Sequence, residues 1–136
     1  MAAAPMDTDY TPKQDMNIQS GDATTDNGNH FEGRAAGIKS YSDARHAVRQ
    51  ILQIPKVAMS THNIMAYRFT DKDNNNHEGT DDDGEHGAAF TILKDLRQNN
   101  INNVIVVVSR KFGQKLGPRR FNHISNAAKS AVQKVV

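Results

Sequence analysis

Residues 103–109, NVIVVVS, hold an unbroken apolar run from Val104 to Val108. β-branched side chains in so short a run read as a strand, and because no polar residue alternates with the apolar ones, both of its faces must be covered. Such a strand belongs at the centre of a sheet. Working back along the chain, THNIMAYRFT (61–70) sets Asn63, Met65, Tyr67 and Phe69 against Ile64, Ala66 and Arg68. That alternation, with its aromatic content, predicts a second strand buried on at least one face. FEGRAAGI (31–38) predicts a third, in which Gly33 and Gly37 allow a neighbour to lie close.

Between these strands the period changes to that of a helix. Ser42 is a candidate N-cap before Asp43, and Ala44, Ala47, Val48, Ile51 and Leu52 follow at helical spacing until Pro55. From Gly87, the positions Ala89, Ile92, Leu93 and Leu96 mark a second helix that ends near Asn99 and Asn100. After the apolar strand, the Gly-punctuated loop RKFGQKLGP (110–118) leads to Pro118, which suits the first turn of a third helix. Its predicted buried stripe is Phe121, Ile124, Ala128, Ala131, Val132 and Val135. This order predicts an α+β fold, a two-layer sandwich with helices on one face of a mixed sheet. We find no internal repeat. Residues 1–28 are predominantly polar and predict a disordered tail, with a short edge strand near Met16 to Ile18, so the folded domain is expected over 29–136.

A chain of 136 residues suits a single core. Cysteine is absent, which excludes disulfides, thiolate nucleophiles and Cys-ligated zinc and fits the cytosol or nucleus. No apolar run approaches the roughly 20 residues needed to span a bilayer. The net charge of +2 conceals an uneven distribution. Asp71, Asp73, Glu78, Asp81, Asp82, Asp83 and Glu85 face Lys72 alone between 71 and 85, whereas 101–136 carries Arg110, Lys111, Lys115, Arg119, Arg120, Lys129 and Lys134 with no acid. Whether the acidic and basic segments meet depends on the fold.

DDDGEHGAAF (81–90) admits three readings. Acids ahead of a helix satisfy its free amides and its dipole, so Asp83 or Glu85 is expected to cap the second helix. A metal site would need His77, His86 and carboxylates to converge, but Asp81, Asp82 and Asp83 are consecutive and match no EF-hand spacing. A catalytic acid pair needs carboxylates in apolar surroundings, which an Asn-rich loop does not offer. In SRKFGQKLGPRR (109–120), Gly113 and Gly117 let amides approach an anion that Arg110, Lys111, Lys115, Arg119 and Arg120 would attract. The P-loop spacing is absent. Phe112 beside arginines leaves RNA contact open, whereas Phe121 is expected in the core. Tyr67 and Arg68 are expected to pack, and His46 and His123 to be exposed. A triad of Ser109, His62 and Asp83 can be written down, with nothing in the sequence to assemble it.

STHNIMAYRF (60–69), DDDGEHGAA (81–89), NVIVVVSRKFGQKLGPRRFNHI (103–124) and NAAKSAV (126–132) together resemble the IMPACT/YigZ family, over about Phe31 to Val132. The resemblance implies a fold like domain two of ribosomal protein S5 and domain four of elongation factor G. It implies a non-enzymatic role in translational control without a cofactor: eukaryotic members bind the scaffold that activates the amino-acid-starvation kinase of translation initiation. Bacterial members are suspected nucleic-acid binders. Eukaryotic members carry an N-terminal RWD domain and bacterial ones a C-terminal domain like domain five of elongation factor G, where this chain is expected to have only a polar tail. The family's R-W-Y-G-G turn appears here as Arg110, Lys111, Phe112, Gly113 and Gln114. The expected binding surface is Asp81, Asp82, Asp83, Gly84 and Glu85 with Arg110, Lys111, Phe112, Gly113, Lys115, Gly117, Arg119 and Arg120. Its expected partner is a protein of translational control, the alternative being RNA or the ribosome on the basic loop. A third reading is a metal-dependent hydrolase or phosphotransferase built on Asp82, Asp83 and Glu85.

Overall fold

The computed structural model describes residues 15–136. In chain order the elements are β1 (Gln19–Ser20), β2 (Thr24–Asp26), β3 (Asn29–Gly37), α1 (Tyr41–Leu52), α2 (Pro55–Ala58), β4 (His62–Thr70), β5 (Asn76–Asp81), α3 (Ala88–Gln98), β6 (Val104–Lys111) and α4 (Arg119–Val132). The strands form one sheet in the order β1-β3-β6-β4-β5, with β2 also on the free edge of β3. β6 is the centre expected of its apolar run, flanked by β3 and β4 and buried from Val104 through Arg110.

The α+β class read from the sequence is the class of the structure, with a different layering. Every ladder among the described residues is antiparallel. The reason is topological: β3 to β4 and β5 to β6 are crossovers between parallel strands, but each steps over an intervening strand, so no parallel pair becomes adjacent. Helices also lie on both faces. Val104, Val106 and Val108 pack with α3 and α4, whereas Ile105 and Val107 pack with the side of the sheet covered by α1 and α2.

Local differences from the sequence reading have local causes. The side chain that caps α1 is Ser40, whose hydroxyl accepts the Asp43 amide at 3.0 Å, while the Asp43 carboxylate accepts the Lys39 amide at 2.9 Å. This reciprocal arrangement starts the helix one residue before Ser42. Pro55 follows the end of α1 and opens α2. Of the predicted tail, residues 1–14 lie outside the described residues, and 19–26 supply β1 and β2, so the edge strand falls just after the predicted Met16 to Ile18. Asn27 and Gly28 join β2 to β3 with φ of 49° and 77°, the two positive values of a type I′ hairpin turn.

Gly33 earns its place by close approach. A Cβ there would lie 2.3 Å from the Ala127 carbonyl oxygen, so α4 sits on β3 at a distance only glycine permits. Gly33→Ala is therefore expected to lower unfolding free energy in urea by about 1–3 kcal/mol through overpacking. Gly37→Ala, whose Cβ would meet nothing nearer than 3.8 Å, should change it by less than about 1 kcal/mol.

Candidate functional site

β5 ends at Asp81, and the chain must turn sharply to enter α3. Asp83 (φ 46°) and Gly84 (φ 87°) make that reversal, and the Asp81 carboxylate accepts the Asp83 amide at 2.9 Å. The four carboxylates of the turn then separate. Asp82 accepts the amides of Gly87 at 3.1 Å and Ala89 at 2.8 Å, so it supplies the cap expected of Asp83 or Glu85. Asp83 instead accepts the Asn63 amide of β4 at 2.7 Å. Glu85 points inward and is only 6 % exposed.

Glu85 forms a salt bridge with Arg110, itself 5 % exposed, and its other oxygen lies 3.5 Å from Arg120 Nε. The acidic turn and the basic loop therefore meet, around a cavity of about 430 Å³ lined by Glu85, Arg110, Phe112, Lys115 and Arg120. Arg110 also donates from Nη2 to Asn29 Oδ1 at 3.1 Å, and its guanidinium lies 4.5 Å from the Phe112 ring centre and 5.5 Å from that of Phe31. Removing a guanidinium from water is costly, and a carboxylate, an amide oxygen and two ring faces replace most of the lost hydration, leaving Nε buried with no hydrogen-bond partner among the described residues. Phe112 stays half exposed beside His62, at 5.0 Å between rings.

Asn29 ties this site to the β2–β3 hairpin. Fully buried, it donates to the carbonyls of Asp26 at 3.0 Å and Gln114 at 2.6 Å and accepts the Gly113 amide at 3.0 Å. The Gln114 amide reaches the Asn27 carbonyl at 2.9 Å. The loop lies so close that a Cβ on Gly113 would be 2.3 Å from Gly28. Gly113 permits this close contact between backbones.

The remaining cations are distributed in the same manner. Asp26 of β2 receives Arg119 in a two-pronged pair at 2.8 and 3.2 Å, together with His123 Nε2 at 2.7 Å. The hydrogen bond from Arg119, followed by that from His123, holds the Asp26 carboxyl down at about 2, below its ordinary 3.8. The expected exposure of His46 and His123 does not hold: His46 is buried, and His123 is partly buried and stacks on Phe31 at 4.9 Å. Glu78 likewise holds Arg97 and Arg68, whose hydrogen bonds keep its carboxyl below the usual range. Lys111 alternates with Arg110 along β6 and lines a different cavity on the α2 side, and Lys115 remains exposed. Three of the five loop cations are thus occupied by carboxylates of the same chain.

The other constellations do not assemble. Ser109 donates its hydroxyl proton to Asn63 at 2.7 Å, and His62 meets the main-chain carbonyl of Asp83, so no relay joins Ser109, His62 and the Asp83 carboxylate. Asp82, Asp83 and Glu85 point toward three separate partners, and among the described residues no three His, Asp or Glu side chains group as metal ligands. Asn29, Asp26 and Glu78 were not singled out from sequence. The Asn27–Gly28 pair between Thr24–Asp26 and His30–Phe31 is the signal that marks the first two, since it places a hairpin where a tail was expected.

Fold and site together define a small α+β domain in which an acidic turn and a basic loop meet through the ion pairs of Glu85 with Arg110 and Arg120. The Impact N-terminal domain pattern matches residues 27–132, and the chain belongs to that family. It is 39 % identical over 116 residues to the Protein IMPACT homolog of Caenorhabditis elegans, covering 82 % of this chain and 45 % of that protein. The corresponding protein of Schizosaccharomyces pombe is 35 % identical over 127 residues, covering 93 % and 45 %. The chain thus spans just under half the length of these curated relatives. Among solved structures, the two-domain translational regulator Yih1 superposes with a TM-score of 0.64 at 30 % identity, over 98 % of this chain and 53 % of that one.

Two outcomes follow from the geometry. Asn29→Ala leaves the Gly113 amide, the Gln114 carbonyl and one arm of Arg110 without their partner, and is expected to cost about 3 kcal/mol in denaturant unfolding. Asp26, with its carboxyl held low, stabilises the fold above about pH 4, the range of a free aspartate, and loses that contribution as pH falls toward 2. The difference in melting temperature between wild type and Asp26→Asn should therefore close as pH drops through this window, and a constant difference would show that the pairing does not act through charge.

Proposed function

We propose that this chain is a non-enzymatic regulator of translation that works through protein contacts. The observation that carries the reading is its similarity, across nearly its full length, to a translational regulator, Yih1, at 30 % identity. The site supports protein over nucleic acid as partner. Arg110, Arg119 and Arg120 are paired with Glu85 and Asp26, which leaves little free charge on the loop for a phosphate backbone. What the loop presents outward is a half-exposed aromatic ring, Phe112, with Lys115 beside it and Asp81, Asp83 and Gly84 exposed on the acidic turn. An aromatic anchor with a mixed polar rim suits a protein interface.

The partner we assign is the scaffold that activates the starvation-responsive initiation-factor kinase, bound in the cytosol and competed away from that kinase. No helix of the described residues is long and apolar enough to cross a membrane. The test is capture of purified scaffold by the full chain, with and without nuclease, beside a Phe112→Ala/Lys115→Ala variant. Nuclease-resistant capture that weakens at least about tenfold in the variant, as loss of a hot-spot aromatic implies, is the expected result. Recovery of RNA or ribosomes that disappears with nuclease, with no scaffold bound, would overturn it.

A further inference from the structure

A second cavity, of about 440 Å³, lies on the opposite face of the sheet between β3, the end of β6 and α2. His30, Glu32, Arg34, Lys56 and Lys111 all line it. The alternation of β3 explains the grouping, since His30, Glu32 and Arg34 share the face away from Phe31 and Ala35. Arg34 is 5 % exposed, yet only its Nη2 is matched, by Glu32 at 3.2 Å. Its Nη1 is buried with no hydrogen-bond partner among the described residues. Lys56 and Lys111 are exposed at the rim. His30 is exposed and engages Thr25 through Nδ1 at 3.0 Å.

We propose that this cavity binds a phosphate monoester. Three full cations surround one carboxylate that already serves Arg34, so the site is short of about two negative charges, the charge of a monoester near neutral pH. A carboxylate ligand would supply one. A nucleic-acid strand also brings one per phosphate, and the one phenyl ring lining the cavity, Phe31, is fully buried, which leaves only the His30 imidazole, already bonded to Thr25, as a stacking surface. A half-matched buried guanidinium is suited to the forked, charge-assisted contact that a phosphate provides. The size admits a phosphorylated side chain or a small phosphorylated metabolite, and both carry the same recognised group.

The experiment is a titration of the full chain, followed by amide NMR, with inorganic phosphate, ribose 5-phosphate, a phosphoserine peptide, its unphosphorylated form and a single-stranded RNA oligonucleotide. Saturable shifts around Arg34, Lys56 and Lys111 are expected with the monoesters and not with the unphosphorylated peptide. The tighter of the peptide and the sugar phosphate identifies the source. Lys56→Ala/Lys111→Ala, which removes only exposed side chains, should lower affinity at least about tenfold with the melting temperature unchanged. No saturable shift with any monoester, shifts indifferent to the double variant, or binding by RNA alone would each overturn the proposal. None of these results bears on scaffold capture through Phe112 and Lys115.

Discussion

A buried guanidinium has to be matched, and that constraint organises the end of this molecule where four segments meet. Arg110 leaves the centre of the sheet on the last turn-ward stretch of β6, where both neighbours exclude water. Its charge is met by Glu85 from the β5–α3 turn, by Asn29 from the β2–β3 hairpin, and by the rings of Phe31 and Phe112. Glu85, the Asn29–Phe31 stretch of β3 and the loop after β6 come from three separate parts of the chain. An unpaired charge at this depth costs several kcal/mol, so the acidic turn, the hairpin and the basic loop are held in one relation to each other. The pair need not add stability over an apolar substitute to have this effect, because its value lies in what its loss would leave behind.

The same logic explains the charge pattern of the sequence. Acids and bases are segregated along the chain but interleaved in space, with Glu85 between Arg110 and Arg120, Asp26 between Arg119 and His123, and Glu78 between Arg68 and Arg97. A stretch that reads as a phosphate-binding strip is largely neutralised from within. What remains for recognition is Phe112 and Lys115 at one end of the sheet, and on the other face the cationic cavity below α2. Both lie at the C-terminal end of β6, on opposite faces of the sheet.

Elements with strong local signals were legible from the sequence. The run Val104 to Val108 could only be a central strand, and the stripes of α3 and α4 point their apolar sides as the spacing requires. The face on which α1 sits was not legible, because an amphipathic stripe says that a helix is covered and not by which side of a sheet. The partners of the arginines were hidden for a related reason: Asn29 and Arg110 are 81 residues apart, and Asp26 and Arg119 are 93 apart. No periodicity reports such pairings. The Asn27–Gly28 turn is a local signal for the hairpin, but it lies within a stretch whose polar composition by itself predicts a tail. Family resemblance supplied the relation to translational regulators, which geometry alone does not carry.

The most direct measurement of the central constraint is a double-mutant cycle on Glu85→Gln and Arg110→Met, read as unfolding free energy in urea. If Arg110 depends on Glu85 as a buried pair, each single change costs about 3 kcal/mol or more, and the double variant loses little beyond either one because the orphaned charge is gone. Small, additive losses of under about 1 kcal/mol each, the behaviour of a solvent-exposed pair, would contradict the account.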